Sequence, residues 1–180
     1  MSFRFELAKT VQAAALLLSR EPAQTTEYLR LLKLLYIADR ESLKETRRPI
    51  TGDEVSAMEY GPVLERTYDL IKPECKVDGW KKFIETNGYD VHLVGDPGKG
   101  QLALYERKKL ADVSHRYKDH TWKQLSDLTH DFPEWHNPGK TSIPIPLRSI
   151  LKALGLNGET ARQIENERFD EWQLDHILGR

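Results

Sequence analysis

The sequence predicts a mainly α, α+β fold: a single compact helical domain with one small antiparallel β-hairpin. Apolar residues recur at helical spacing over most of the chain. Two β-like stretches flank GDPGKG, a loop of turn-forming residues (Gly95 to Gly100), which predicts the hairpin. A length of 180 residues with 39% hydrophobic and 31% charged residues suits one globular domain over residues 1–180.

The first two predicted helices form the centre of this fold. The first runs from Phe5 to Ser19 and ends before Pro22. The second is expected to be capped by Thr25 or Thr26, and it contains the run YLRLLKLLYIADRESL. Because this run leaves almost no polar face, we expect the helix to be covered on most sides. Lys33 stands out there, flanked by leucines on both sides.

The next segment contains the adjacent pair Gly61–Pro62. The preceding EVSAMEY is expected to be extended or a single turn. Because proline fits the first turn of a helix, Pro62 is predicted to begin one that stops before Pro73. Gly61 is expected to have a positive φ, or to pack too closely against its surroundings for a Cβ.

A short helix and the hairpin are predicted to follow. The helix is expected to start with a cap at Asp78 and to stop at Asn87–Gly88. The predicted hairpin strands are YDVHLV and QLALYE, on either side of GDPGKG.

Further helices are predicted downstream. One begins at Asp112, and another at Thr121 with Gln124 completing a capping box. GKTSIPIP is expected to be an irregular connector, and LRSILKALGL a helix that ends near Gly155. The helices of residues 147–180 are expected to pack on or extend the domain. In the last helix, the expected buried residues are Ile164, Phe169, Trp172 and Ile177.

Charge and composition exclude several classes of function. The 27 basic and 28 acidic residues nearly balance, which argues against a nucleic-acid-binding protein; Lys44–Pro49 is the only compact basic segment. A single cysteine, Cys75, cannot form an internal disulfide and fits a reducing compartment. No apolar run approaches the length of a membrane span. We therefore expect a cytoplasmic protein with no membrane contact.

The chemistry-bearing residues form no recognisable catalytic or metal-binding motif. The six histidines include no pair four residues apart on one helix, so neither a metal nor a cofactor is expected. Ser126, His130 and Asp131 lie close together, but Ser126 falls in mid-helix, where its hydroxyl is expected to bond the preceding turn. His130 is expected to bond a carbonyl of the last helical turn.

Three separated motifs together resemble the Panacea domain of the SocA-like antitoxin family, found in bacterial and prophage toxin–antitoxin systems. They are KLLYIAD (Lys33–Asp39), ITGDEVSAMEYGPV (Ile50–Val63) and LSDLTHDFPEW (Leu125–Trp135). Their order and spacing match the family pattern, and the likeness covers about Leu7 to Ile150. Departures occur at Met58, where a bulkier residue is expected, and in DFPEW. The family-motif residues, to which we assign a mainly structural role, are Lys33, Leu34, Leu35, Tyr36, Gly52, Tyr60, Gly61, Pro62, Val63, Thr129, His130 and Trp135.

Within these motifs, Tyr36, Lys33 and the Gly61–Pro62 pair have specific structural expectations. Tyr36 is expected to bury its ring and find one partner for its hydroxyl. Lys33 is expected to place its amine at a carboxylate or a carbonyl. The Gly61–Pro62 pair is expected to let Tyr60 and Val63 reach the KLLY helix.

The resemblance implies an antitoxin that neutralises a cognate toxin, encoded in the same operon, by direct protein binding. One branch of the family resembles a proteolytic adaptor, so delivery of the toxin to an ATP-dependent protease is an alternative. A second alternative, of a different class, is an enzyme with a cleft near Tyr36, Tyr60 and His130. A small toxic open reading frame next to this gene would favour the antitoxin.

The toxin is expected to dock outside the shared motifs, because discrimination between toxins needs contacts that differ between family members. Exposed aromatic and arginine side chains are the usual anchors. Two regions offer them: the hairpin with Tyr89, Tyr105 and Arg107, and the last helix with Arg168, Phe169 and Trp172. The alternative for Phe169 and Trp172 is that they attach this helix to the core.

Overall fold

The computed structural model describes residues 3–156 and 158–178. Helices account for 51% of the residues and strands for 13%, so the mainly helical α+β class is confirmed. The strands form two three-stranded antiparallel sheets, and one of them contains a hairpin that differs from the predicted one. The elements in chain order are α1 (Leu7–Leu18), β1 (Thr25–Glu27), α2 (Tyr28–Thr46), β2 (Val55–Met58), β3 (Gly61–Leu64), α3 (Glu65–Ile71), α4 (Asp78–Lys81), β4 (Ile84–Asn87), β5 (Asp90–Leu93), α5 (Leu104–Arg116), α6 (Trp122–His130), β6 (Ile143–Ile145), α7 (Leu147–Ala153) and α8 (Glu159–Leu178).

Helix α2 lies at the centre, as its nearly continuous apolar surface predicts. Every residue from Arg30 to Asp39 is buried, and α1, α5, α6 and β3 all contact this helix. Its predicted start was wrong. Thr25 and Thr26 belong to strand β1, and the helix begins at Tyr28 without a side-chain cap. Both threonines are in a strand because Thr25 pairs with His92 and Thr26 pairs with Val91 of β5.

The first sheet has the strand order β1-β5-β4. Strand β5 was predicted within YDVHLV, but its hairpin partner is β4 and not QLALYE. The connection is the Gly88–Tyr89 turn, with Gly88 at φ +63°. Glycine at the first position of a two-residue loop favours a tight hairpin, and Gly88 holds that position here, because Asn87 pairs with Asp90. The predicted α4 extension through Phe83 and Ile84 was therefore wrong.

The segment assigned to the second hairpin strand instead leads into α5. This helix starts at Leu104, and the Glu106 carboxylate accepts the backbone N–H of Ala103 at 2.8 Å, which caps the start. Asp112 consequently lies in the middle of this helix. The prediction that a helix begins at Asp112 was therefore wrong. The predicted capping box of Thr121 and Gln124 is confirmed at the start of α6.

The second sheet has the order β3-β2-β6. Pro62 was predicted to start a helix, but it lies in strand β3 opposite Ala57. Proline has no N–H to donate, and an edge strand tolerates this better than a central one. Helix α3 begins only at Glu65. The connector GKTSIPIP also contributes a strand, because β6 pairs with the free side of β2.

The C-terminal helices pack on a second, smaller apolar cluster. Ile150 and Leu151 of α7 and Ile164 of α8 join Leu43 of α2 and Ala57 of β2 there. The predicted helix end near Gly155 is confirmed, with φ +74° at this glycine.

Of the buried residues expected in α8, only Ile164 is confirmed by the described side chains. Phe169 is 45% exposed and Ile177 is 79% exposed, so both expectations were wrong. Most of the neighbouring residues in the α8 sequence are charged or polar, so this helix has no continuous apolar face that would bury Phe169 and Ile177. The side chain of Trp172 lies outside the described part of the structure, as does that of Arg168.

Candidate functional site

The sequence motifs converge on one tight turn, residues 58–62, which we call the β2–β3 turn. It joins the two strands through Glu59 and Tyr60. Three of its carbonyls are held by side chains from elsewhere in the fold. The acceptor and donor pairs are Met58 O with Trp135 Nε1 (3.2 Å), Tyr60 O with Ser126 Oγ (2.8 Å), and Pro62 O with Lys33 Nζ (2.8 Å). The turn is therefore fixed to α2, to α6 and to the segment after α6.

Gly61 allows these elements to meet. Its φ of +103° is a conformation that residues with a side chain rarely adopt, as expected. A Cβ at this position would lie 2.5 Å from Thr129 Oγ1 and 2.9 Å from Lys33 Nζ. Both distances are shorter than van der Waals contact, so the site requires glycine for conformation and for space.

Lys33 is fully buried in the middle of α2. Its amine donates to the Pro62 carbonyl, as expected for a carbonyl or carboxylate partner. Burial lowers the pKa of this lysine from 10.5 to about 7, because the charged amine has lost its hydration. The expectation for Lys33 is thus confirmed, and the side chain fixes strand β3 onto α2.

Tyr36, one turn further along α2, takes part in a second buried contact. Its hydroxyl donates to Glu134 Oε1 at 2.7 Å, which confirms the burial and single partner expected for it. Arg40 binds the same carboxylate through Nε (2.6 Å) and Nη2 (3.2 Å). The Arg40 guanidinium also lies 4.2 Å from the Phe132 ring centroid. These contacts attach residues 132–135 to α2.

Sequence reasoning missed Glu134 and Arg40. In the sequence, DFPEW stands out only as a departure from the family pattern, and Arg40 is only one residue of the second predicted helix. The available signal was weak: an acidic residue between Pro133 and Trp135, and an arginine one turn after Tyr36. Arg40 and Glu134 are 94 positions apart in the chain, and nothing in either segment indicated that their side chains would contact each other.

Two further buried carboxylates organise the segment before β2. Asp39 accepts the N–H groups of Ile50 (2.9 Å) and Thr51 (3.0 Å), and burial raises its pKa to about 7 despite those bonds. Asp53 accepts the N–H groups of Arg66 (3.1 Å) and Thr67 (2.8 Å), which caps α3. Burial raises the pKa of Asp53 as well.

Gly52, which directly precedes Asp53 in the sequence, has a φ of +69°, and a Cβ there would lie 2.0 Å from the carbonyl oxygen of Arg4. This family-motif glycine is therefore required where the N-terminal segment crosses the chain. Leu34, Leu35 and Val63 are buried in the main core, in keeping with a structural role.

Three expectations about the motif side chains were wrong. Ser126 bonds the carbonyl of Tyr60 and not the preceding helical turn. The His130 ring stacks on Trp135 at 4.0 Å, and its Nε2 is buried without a hydrogen-bond partner in the described structure. Tyr60 is not buried against the KLLY segment of α2: it is 47% exposed, and its ring meets that of Trp122 edge-on at 5.6 Å. In a two-residue turn the Tyr60 side chain points away from the core that Val63 enters.

The three residues named for the alternative enzyme cleft each have a different environment. The hydroxyl of Tyr36 is bonded to Glu134, the ring of His130 is stacked on Trp135, and Tyr60 faces solvent. Among the described residues, Tyr36, Tyr60 and His130 share no hydrogen bond. The structure does not bring them together as a nucleophile, a base and an orienting group.

The residues expected to contact a toxin are distributed over several elements. Tyr89 lies in the hairpin turn and is 77% exposed. Tyr105 and Arg107 are on α5 and not on the hairpin, which corrects their predicted placement. The Tyr105 hydroxyl donates to Glu45 at 2.7 Å, and Arg107 binds the carbonyls of Leu102 (2.9 Å) and Lys99 (2.7 Å). Of the three residues named on α8, only Phe169 has a described side chain, and it is partly exposed.

Comparison with known protein families gives a match. The family model described as "Antitoxin SocA-like, Panacea domain" matches residues 31–136. No curated protein and no solved structure matches the chain. The matched region begins in α2 and ends just after Trp135, so it contains the β2–β3 turn and all the contacts that fix it. Within the described residues, no helix is both long enough and apolar enough to cross a membrane.

Proposed function

The chain belongs to the SocA-like antitoxin family that carries the Panacea domain, and from this premise we propose that it neutralises a toxin by binding it directly. The toxin is a protein encoded in the same operon. No reaction by this chain is needed, because a bound toxin whose working surface is covered is inactive.

The observation that carries this proposal is the use of the polar motif side chains inside the fold. Lys33, Ser126 and Trp135 each donate to a carbonyl of the β2–β3 turn. Tyr36 donates to a carboxylate that Arg40 also binds. A catalytic base or nucleophile needs an atom within reach of a substrate, whereas these atoms are already engaged. The arrangement therefore supports a rigid scaffold for binding over a centre for chemistry.

The surface supports the same conclusion. Tyr60 and Tyr89 are large aromatic side chains exposed to solvent, and the scaffold fixes the backbone of the turn that carries Tyr60. Rigid exposed aromatic residues are typical anchors of protein interfaces, because little side-chain entropy is lost when they bind. Tyr89 was expected to contact the toxin, and it remains in this proposal together with Phe169 of α8. Tyr60 lies in a shared motif, where docking was not expected, and we add it because its side chain is exposed.

The experiment is co-expression of this chain with the product of the neighbouring gene. We expect the chain to restore growth of cells that make the neighbouring protein, and an affinity tag on either protein to recover both. The control is Leu35→Asp, which places a charge in the main core and should abolish folding, rescue and co-purification together.

Two other outcomes separate the alternatives. Rescue without physical association would contradict direct binding and favour an enzymatic antidote. Rescue that is lost in cells lacking an ATP-dependent protease, while co-purification persists, would favour the proteolytic adaptor.

A further inference from the structure

Five aromatic residues, in two groups of contacting rings, make up what we call the tyrosine strip: Tyr28, Tyr60, Tyr68, Tyr89 and Trp122. The Tyr28 ring is stacked on Tyr89 with centroids 6.3 Å apart, and on Tyr68 at 6.1 Å. Tyr60 lies edge-on to Trp122. Burial, and then the neighbouring hydroxyls of Tyr68, Tyr89 and Tyr60, raise the pKa of Tyr28. Strand β3 leads from the turn that carries Tyr60 directly into α3, which carries Tyr68, so a short stretch of chain joins the two groups of rings.

Carboxylates accompany this strip along the chain. Each of its four tyrosines has an acidic residue directly before or after it, and all four acidic residues are exposed: Glu27, Glu59, Asp69 and Asp90. Glu27 and Asp90 are also direct cross-strand partners in the first sheet. Like charges placed opposite each other destabilise a sheet. In the described residues, neither of these two carboxylates has an ion-pair partner, so the local negative charge is not neutralised within the chain.

One end of the strip already shows how it can hold a cation. Lys72 Nζ lies 4.7 Å from the Tyr68 ring centroid and donates to Asp69 at 2.6 Å. An amine that lies over a tyrosine ring and beside a carboxylate is attracted by both. A tyrosine next to an acidic residue in the sequence recurs at Tyr89–Asp90 and at Glu59–Tyr60. In the described structure no lysine or arginine of the chain lies over either of these two rings.

We infer that the tyrosine strip is the docking surface for an arginine- or lysine-rich segment of the toxin; this inference rests on the proposed function. Arginine stacks on aromatic faces and pairs with carboxylates at the same time. The strip offers rings and carboxylates from β1, the start of α2, the β2–β3 turn, α3, the β4–β5 hairpin and the start of α6.

Two other occupants fit the strip less well. Nucleic acid carries dense negative charge, which Glu27, Glu59 and Asp90 would repel. A second copy of this chain, bound symmetrically, would place the same patch against itself and bring these carboxylates together. A cationic protein segment has neither disadvantage.

The test measures binding of the neighbouring gene product to purified variants by titration calorimetry. Tyr89→Ala removes an exposed ring, and Asp90→Lys reverses the charge beside it. We expect each to weaken binding by roughly tenfold or more, as for interface anchors elsewhere. We also expect the salt dependence of the affinity to be smaller for Asp90→Lys than for the parent.

Matched controls come from α5. Leu104 is 72% exposed, and Asp112 is exposed on the same helix. Leu104→Ala and Asp112→Lys make comparable changes of apolar surface and charge outside the strip. We expect both to bind like the parent, and all four variants to keep its melting temperature within a few degrees.

The outcomes separate this inference from the function on which it rests. If the parent and both strip variants bind equally well, the docking surface lies elsewhere and the inference is wrong, whereas the proposed function stands. If the parent does not bind the neighbouring protein at all, both are overturned. If the parent alone sediments as a dimer and Tyr89→Ala is monomeric, the strip serves a second copy of the chain and the inference is again wrong.

Discussion

Lys33 reaches the backbone of strand β3 because Gly61 has no side chain. A Cβ on Gly61 would lie 2.9 Å from the lysine amine, which donates to the next carbonyl, that of Pro62, at 2.8 Å. The two residues are 28 positions apart in the chain, and each restricts the other. A larger residue at position 61 would displace the amine, and the amine would then lose its only hydrogen-bond partner in the described structure.

Gly61→Ala should lower the free energy of unfolding by at least about 3 kcal/mol. The variant residue would adopt an unfavourable φ, and its methyl group would overlap Thr129 and Lys33. Urea unfolding of the parent and the variant measures this difference. The control is Gly88→Ala, where φ is also positive but nothing lies within 4 Å of the added methyl. That change should lower the free energy by only about 1 kcal/mol, and equal effects at both positions would show that contact at Gly61 is unimportant.

Lys33 should make stability increase with pH above neutrality. Its pKa is about 7 in the folded protein and 10.5 when exposed. Between these values the unfolded chain binds a proton that the folded chain lacks, so the free energy of unfolding rises with pH. Lys33→Met removes this contribution. The difference in stability between parent and Lys33→Met should shift in favour of the parent from pH 7 to pH 10, and parallel pH curves would contradict a neutral buried amine.

Tyr36→Phe should lower the free energy of unfolding by about 2 kcal/mol, because a buried hydrogen bond to a carboxylate is lost. Tyr36→Ala should cost about 3 kcal/mol or more, since the buried ring is removed as well. Tyr105→Phe is the matched control: it removes a hydroxyl that also donates to a glutamate at 2.7 Å, but at the surface. Its effect should stay within about 0.5 kcal/mol. If Tyr36→Phe melts like the parent, the contact with Glu134 does not stabilise the fold.

Thr121→Ala should lower the free energy of unfolding by about 1 kcal/mol, the usual effect of losing a helix cap. The Thr121 hydroxyl oxygen accepts the N–H of Gln124 at 3.3 Å, and the Gln124 side chain accepts the N–H of Thr121 at 2.9 Å. Thr141→Ala is the comparison, because its hydroxyl bonds Pro138 in an exposed connector. If both substitutions lower the free energy of unfolding equally, the capping box does not contribute more to stability than an exposed hydrogen bond.

Periodicity predicted the helices better than the strands. The apolar run of α2 is long and continuous, so its central position followed directly from burial of that surface. Pro62 and Asn87–Gly88 were misread because each is compatible with two local structures. A proline fits a helix start or an edge strand, and the glycine of Asn87–Gly88 fits a helix end or the first position of a hairpin loop. The choice depended on sheet partners, Ala57 for one and β5 for the other, which local sequence does not reveal.

The same limit applies to the candidate site. Lys33, Tyr36 and Gly61 could be selected from the sequence, because a polar residue in an apolar run or a Gly-Pro pair is locally unusual. Their partners could not be identified in this way. The Tyr36–Glu134 contact spans 98 positions and that of Ser126 with Tyr60 spans 66, so both depend on how α6 is placed over the β2–β3 turn.

Strand β6 lies beyond residue 136, where the family match ends, yet it pairs with β2 from Val55 to Ala57. On the other side of the match, α1 contributes Ala14, Leu17 and Leu18 to the main core. A recombination event that moved only residues 31–136 would leave one side of β2 with unsatisfied backbone hydrogen-bonding groups, open to pairing with another chain. Exchange of this unit between genes should therefore succeed only when the recipient supplies a replacement strand and helix, or when both flanking segments are inherited with it.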